Sequence, residues 1–413
     1  MKFIFLFLYF ICCFFIDATS YALPAFARRE NVSCTMCHVN GSAPRLTEFG
    51  YMYRRAGFRN PWDIGKIEKD NEAARITDHM SAQIVLQYLY GTSKEPGASS
   101  EVVNDNFDIP TVSVFPVVGA FNGNFSAWSA IDAVAKPSEE GVSLSDADLR
   151  YVIGDQHLFY NFRAGLIGYQ GYGLADRGLL GGGDIPLINS TSPYYNQDAL
   201  FTPFGDSNQL GAEAGVNYQH SHFTIGIYNG FDGTTLNAGT PELNPAIYSS
   251  STKGHKDIKA QLDQFIGSQF EATFVYYNGA ATILDPSNTV PWRNNYDAWR
   301  LYLAYSAIPS VLDLNAGFGY DTYHWVNSGS TDVEGTGIKN GSSLEALYYG
   351  VPSLTLEARW DYVRYNQGAD VKGVQFLINF PRENNIFIIG FNNVNSDIAE
   401  STAQYFAKWN FLF

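Results

Sequence analysis

The chain has 413 residues and a formal net charge of −15, with charged residues at 16% and aromatics at 15%. An acidic chain without a basic stripe excludes nucleic acid as a partner, and the absence of a Gly-rich phosphate loop or a nucleophile–base arrangement excludes the common phosphoryl- and acyl-transfer chemistries. So many aromatic residues among so few charges demand either a very large core or a surface that meets lipid.

The first predicted element is an export signal over residues 1–22. Lys2 gives the positive start, an apolar run continues to Ile16, and Ser20-Tyr21-Ala22 is a small-x-small cleavage site. The run is short for a spanning helix. Cys12 and Cys13 lie within it and no lipobox precedes them, so no lipid anchor is predicted. Of the four cysteines, the mature chain keeps Cys34 and Cys37.

Residues 23–79 form the next predicted unit, built around Cys34-Thr35-Met36-Cys37-His38. Two thiols and an imidazole at C-x-x-C-H spacing are what covalent attachment of one c-type haem requires. The thiols add across the porphyrin vinyl groups, and His38 supplies the proximal iron ligand. A plain disulfide is the competing reading in an oxidising compartment. A thioredoxin-type motif lacks its βαβ context, and a structural zinc site lacks a second cysteine pair.

Arg45 to Ala56 is predicted as a short helix ended by Gly57. Leu46, Phe49, Tyr53 and Ala56 share one face, which lies on the porphyrin or makes a small core. Some fifty residues are too few for an independent core, so haem and barrel wall must supply most of the burial. Arg28, Arg29, Arg45, Arg54 and Arg55 make the unit locally basic, ready to pair with haem propionates or acidic lumen residues. The sixth iron ligand is open between Met80, Met52 and His79; Met36 sits between the two cysteines and cannot reach the distal face. Methionine there raises the potential, histidine suits a lower one. His220-Ser221-His222 is read as a turn rather than a metal site.

From residue 80 to 413 the pattern has period two. Leu354, Leu356, Ala358, Trp360 and Tyr362 alternate with Thr355, Glu357, Arg359, Asp361 and Val363. Breaks rich in Gly, Pro and polar residues divide the region into sixteen segments, starting near Ser81, Thr111, Gly123, Asp146, Gln156, Asn208, Ser221, Lys256, Gln269, Asn295, Ser310, Ser342, Ser353, Lys372, Asn384 and Glu400. Short breaks, such as Gln219-His220 and Val351-Pro352, alternate with long ones, such as Gly178 to Ser207 and Gly230 to His255. The fold class is therefore all-β: a transmembrane antiparallel β-barrel of about 16 strands, with the small haem segment plugging its lumen. Its acidic lumen or outer loops would concentrate cations.

A resemblance runs across these residues. Pro24-Ala25-Phe26-Ala27-Arg28, the C-x-x-C-H run, Pro44, Leu46, Phe49-Gly50 and Gly57-Phe58 resemble the fused monohaem cytochrome–porins of the outer membrane, found in iron-oxidising bacteria with relatives in metal-reducing ones. Within the barrel, Asp148-Leu149-Arg150-Tyr151 and the stretch from Arg163 to Arg177 are similar to the broader family. The resemblance implies electron transfer across the outer membrane, Fe(II) oxidation being one form of it. It implies a periplasmic carrier (a cytochrome or copper protein) at one end and extracellular iron or another electron acceptor at the other. The expected haem position is part-way along the lumen, near the outer reactant. The alternatives are a porin whose haem segment is a plug or sensor, and a haem enzyme with an open sixth position.

Overall fold

The structure, a computed structural model, describes residues 26, 29–38, 46–64, 79–94, 98–122, 124–134, 141–168, 208–229, 231–232, 256–284, 291–327, 334–351, 354–365, 370–382, 385–396 and 401–412. The predicted export signal and most of the two longest predicted loops lie outside the described residues.

Among the described residues, sixteen strands form one closed sheet, antiparallel except where Phe231–Asp232 runs parallel to Ala281–Thr282. In chain order they are β1 (Ser81–Lys94), β2 (Val102–Phe115, resuming at Val118–Asn122), β3 (Phe125–Val134) and β4 (Gly141–Gly154). Next come β5 (Leu158–Gly168), β6 (Asn208–Tyr218), β7 (Ser221–Tyr228, extended by Phe231–Asp232) and β8 (Asp257–Ile266). They are followed by β9 (Phe270–Leu284), β10 (Pro291–Ile308), β11 (Leu312–Asn327) and β12 (Glu334–Val351). The last four are β13 (Leu354–Tyr365), β14 (Asp370–Arg382), β15 (Asn385–Ser396) and β16 (Ser401–Leu412). Each strand pairs with its sequence neighbours, and β1 pairs with β16 through Leu86↔Trp409 and Tyr90↔Tyr405. Closure leaves no unpaired edge, which a sheet in lipid cannot tolerate.

Burial along the strands is inverted relative to a protein in water. On β13, Thr355, Glu357, Arg359 and Asp361 are buried, while Leu356 and Trp360 are 38% and 41% exposed. The same holds on β7, where His222 and Thr224 are buried and Phe223, Ile225 and Ile227 are exposed. Apolar residues outside and charged residues inside is the arrangement that lipid around a polar lumen selects. Among the described residues no helix is long and apolar enough to cross a membrane; crossing falls to the strands.

The lumen is held by charge pairs within and between strands. Arg163 and Lys259 both reach Glu213, Lys259 at 2.5 Å. Arg300 pairs with Asp321, and Arg359 with Asp361 at 2.8 Å. Tyr228, Tyr277 and Tyr296 stack in sequence at 6.1 and 5.9 Å between ring centres. The hydroxyls of Tyr277 and Tyr296 donate to Asp257 at 3.0 and 2.7 Å.

The two rims differ. The connections 155–157, 219–220, 267–269 and 309–311 are tight turns at the end where β1 begins and β16 finishes, and the long connections lie at the opposite rim. Four strands start well before their predicted positions: β2 at Val102 rather than Thr111, β4 at Gly141 rather than Asp146, β10 at Pro291 rather than Asn295, and β12 at Glu334 rather than Ser342. All four begin at the long-loop rim. Segments such as Val102 to Asp108 carry polar residues on both faces there, so they lose the alternation that lipid imposes while keeping the ladder.

Candidate functional site

Cys34–Cys37 forms one helical turn, α1. Residues three apart in a helix lie on the same side, so the backbone places both cysteine positions on one flank. Cys37 is half-buried. His38 follows directly and forms an antiparallel bridge with Leu46, folding the chain back on itself.

Helix α2 spans Glu48–Arg55, three residues later than the predicted start at Arg45. Its N-cap is Thr47, whose hydroxyl oxygen accepts from Gly50 N at 3.1 Å and donates to Met36 O at 2.6 Å. Thr47 N also donates to Cys37 O at 2.9 Å. One residue thus satisfies an orphan N–H of α2 and ties that helix to the C-x-x-C-H turn. The helices touch at Gly50: a Cβ there would lie 2.2 Å from Cys37 O, so only glycine allows the approach. Ala56 caps the C-terminus of α2, and Gly57 at φ +72 redirects the chain as predicted.

A small cavity of about 20 Å³ lies beside Cys37. Phe26, Val32 and Phe49 give it apolar walls; Glu30, Ser33, Tyr53 and Asn60 give it polar groups. Phe26 stacks on Phe58 at 4.9 Å, and Phe58 on Trp128 of β3 at 5.2 Å. The aromatic wall therefore continues from the cavity into the barrel. Burial raises the Tyr53 hydroxyl well above its ordinary pKa, with Arg29 opposing and Glu30 adding to the shift.

Three sets of contacts seat this segment at the short-turn rim. Arg55 is buried and reaches Asp263 of β8 at 3.2 Å and Asn217 of β6 at 3.5 Å. Asp263 also accepts from Thr273 at 2.7 Å, from Gln261 at 3.0 Å, and faces His222 at 3.3 Å. Arg59 donates to Phe125 O at 3.1 Å, where β3 begins. His220, in the β6–β7 turn, meets Glu48 at 2.5 Å. The segment lies at the rim that holds the ends of the barrel chain, where its arginines and aromatic rings match the wall.

The sequence-predicted ligands are not all brought together. The Cys34 and Cys37 positions and His38 sit side by side. Met52 lies half-buried on α2, and Met80 is 39% exposed at the start of β1. His79 places Nδ1 3.2 Å from Val118 O of β2. None of these three lines the cavity beside Cys37. Glu30 and Tyr53 do, and reasoning from iron-ligand types passes over both. His220, in the turn, faces Glu48, and His222, already on β7, faces Asp263.

The residue types match the attachment chemistry that C-x-x-C-H spacing implies, while the cavity beside them, at about 20 Å³, is smaller than a haem. Two thiol positions share one flank of a turn, an imidazole follows, and aromatic walls for a flat apolar ring stand beside Cys37.

No protein-family model matches the chain, and no curated protein matches it. Solved structures do match in fold. An anion-selective porin from Comamonas acidovorans superposes with a TM-score of 0.55 at 9% identity, covering 81% of this chain and 99% of that one. The outer membrane channel DcaP of Acinetobacter baumannii superposes with a TM-score of 0.52 at 7% identity, covering 81% and 97%. Barrel closure, inverted burial and these two superpositions agree: the chain has the fold of a sixteen-stranded outer-membrane porin, with a short helical segment seated in one mouth.

Proposed function

We propose that this chain is an exported outer-membrane protein of the cytochrome–porin type, transferring electrons across that membrane through one haem c. Cys34 and Cys37 would hold the haem covalently, and His38 would be its proximal ligand. The carrying observation is the C-x-x-C-H turn standing beside an aromatic-lined cavity inside a porin-fold barrel. Bound there, the group supplies reversible one-electron chemistry at its iron. The chain's own residues do the rest. Thr47 and Gly50 hold the attachment turn against α2, Phe26 and Phe49 exclude water, and Arg55 with Asp263 fixes the assembly in the mouth.

The position of the site shapes the reading. In outer-membrane barrels the short turns face the periplasm, so a periplasmic carrier, a cytochrome or a copper protein, would dock close to the haem. The apolar band is about 25 Å tall, too far for an efficient single electron step to the far rim. An external reactant, iron or another metal, would therefore come down the lumen from the long-loop side rather than react at the loops.

The porin and channel superpositions favour a second reading, in which the barrel is a transport protein and the N-terminal segment is a plug or sensor. Reconstitution into liposomes separates the two. Electron delivery to an enclosed acceptor, without solute leakage and lost in Cys37→Ser, supports electron transfer. Solute flux that is unaffected by Cys37→Ser supports transport.

A further inference from the structure

We propose that the short-turn rim around Trp62 is the docking surface for a soluble redox protein with a basic face, and that electrons pass between that partner and the haem by way of Trp62 and Phe49. This deepens the electron-transfer reading above and rests on it. Three observations carry it.

The first is an aromatic ring held out of the fold. Pro61–Asp63 form a single 3-10 turn, and its N-cap Asn60 accepts from Trp62 N at 3.1 Å. Pro61 and Ile64, on either side, are buried, and Ile64 clusters with Val152 of β4 and Phe159 of β5. Between those anchors the turn leaves Trp62 52% exposed. Tryptophan is among the residues that most often dominate the energy of a protein–protein contact.

The second is what that ring touches on its inner side. Trp62 and Phe49 have ring centres 5.5 Å apart, and Phe49 lines the same cavity as Cys37. Cys37 is a point of covalent haem attachment on that reading. A run of aromatic contact thus leads from solvent to the attachment residue.

The third is charge. Arg55 and Arg59 are buried against the barrel wall, Arg29 is held by Glu30 and Tyr53, and Arg54 is half-buried. The exposed charges beside Trp62 are carboxylates: Asp63, next in the chain, and Asp155 in the β4–β5 turn, which the Ile64 cluster places on the same stretch of rim. Asp155 accepts from His157 N at 2.8 Å and Leu158 N at 3.1 Å, and these bonds hold its pKa below the ordinary carboxylate value. Among the described residues, neither the N-terminal segment nor the tight turns named above contain a lysine. An acidic rim around an exposed ring complements a lysine-bearing face around a partner's redox centre, and such steering weakens as salt is added.

The test is stopped-flow electron exchange between the purified holoprotein and mitochondrial cytochrome c, a basic probe, with the same probe after lysine acetylation as its uncharged counterpart. The rate constant should fall as salt rises, and the acetylated probe should react more slowly at low salt. Asp63→Lys with Asp155→Lys should slow the basic probe about tenfold at low salt, within the range of electrostatic steering. Glu101→Lys, the same change of charge on an exposed residue at the long-loop rim, should leave the rate unaltered. Trp62→Ala should slow exchange at high salt as well, with the haem absorption spectrum unchanged. A rate independent of salt, or equal in the charge-reversed variant, overturns the docking surface, and an unaltered rate in Trp62→Ala overturns the route. Protein lacking covalently held pigment fails the haem reading instead, and titration calorimetry of the basic probe against it and its charge-reversed variant still reads the surface: equal affinity for both overturns it.

Discussion

Asp263→Leu is expected to unseat the N-terminal segment and open the pore. Asp263 is the carboxylate that faces the buried Arg55 guanidinium at 3.2 Å, and both side chains are almost fully removed from solvent. Removing one partner of such a pair leaves a buried charge without compensation, at a cost of about 3–5 kcal/mol. Gln261 and Thr273 lose an acceptor in the same substitution. The cost falls on seating rather than on the sheet, because the β8 ladder is made by backbone groups. Planar-bilayer conductance reads the outcome: low for the unaltered protein, high for Asp263→Leu. The double variant Arg55→Met with Asp263→Leu removes both charges and should recover most of the closure. Equal conductance in all three proteins would mean that this pair does not hold the segment in the mouth.

Ile225→Arg is expected to destabilise the barrel by about 2–4 kcal/mol, the cost of a charged side chain at lipid mid-depth. Ile225 is in the middle of β7, 46% exposed, with Phe223 and Ile227 beside it on the same face. Val102→Arg, at the long-loop tip of β2, is the control. Its side chain reaches water near the interface, where the cost falls to about 0–1 kcal/mol. Urea unfolding of protein folded into vesicles measures both. If Ile225→Arg were neutral and raised solubility without detergent, the outer face would be a water-facing one.

Much of the barrel is legible in the sequence because lipid on one side and water on the other force strict alternation. The β13 run from Leu354 to Val363 can be assigned residue by residue, apolar out and charged in, and so can most of β7. Legibility fails where that constraint ends. Above the lipid band at the long-loop rim, β2 and β12 continue through Asn104-Asp105 and Lys339-Asn340, which read as loop by composition although the ladder persists.

The site divides in the same way. Cysteines three apart followed by histidine declare their chemistry locally, and Gly57 declares the end of α2. Thr47 was readable as a cap only through a Thr-x-x-Gly pattern that lacks the usual acidic third residue. Which rim the segment occupies depends on Arg55 meeting Asp263 and Glu48 meeting His220, contacts far apart in the chain that no local pattern announces. Tyr53 and Glu30 look like packing and surface residues until the fold sets them beside Cys37.

Intact-mass analysis of the unfolded, purified protein tests the central claim most directly. The expected mass is that of the polypeptide plus one haem retained after denaturation, with that increment lost in the Cys34→Ser, Cys37→Ser variant. A polypeptide carrying no added mass, or one whose two thiols are joined to each other, would contradict it.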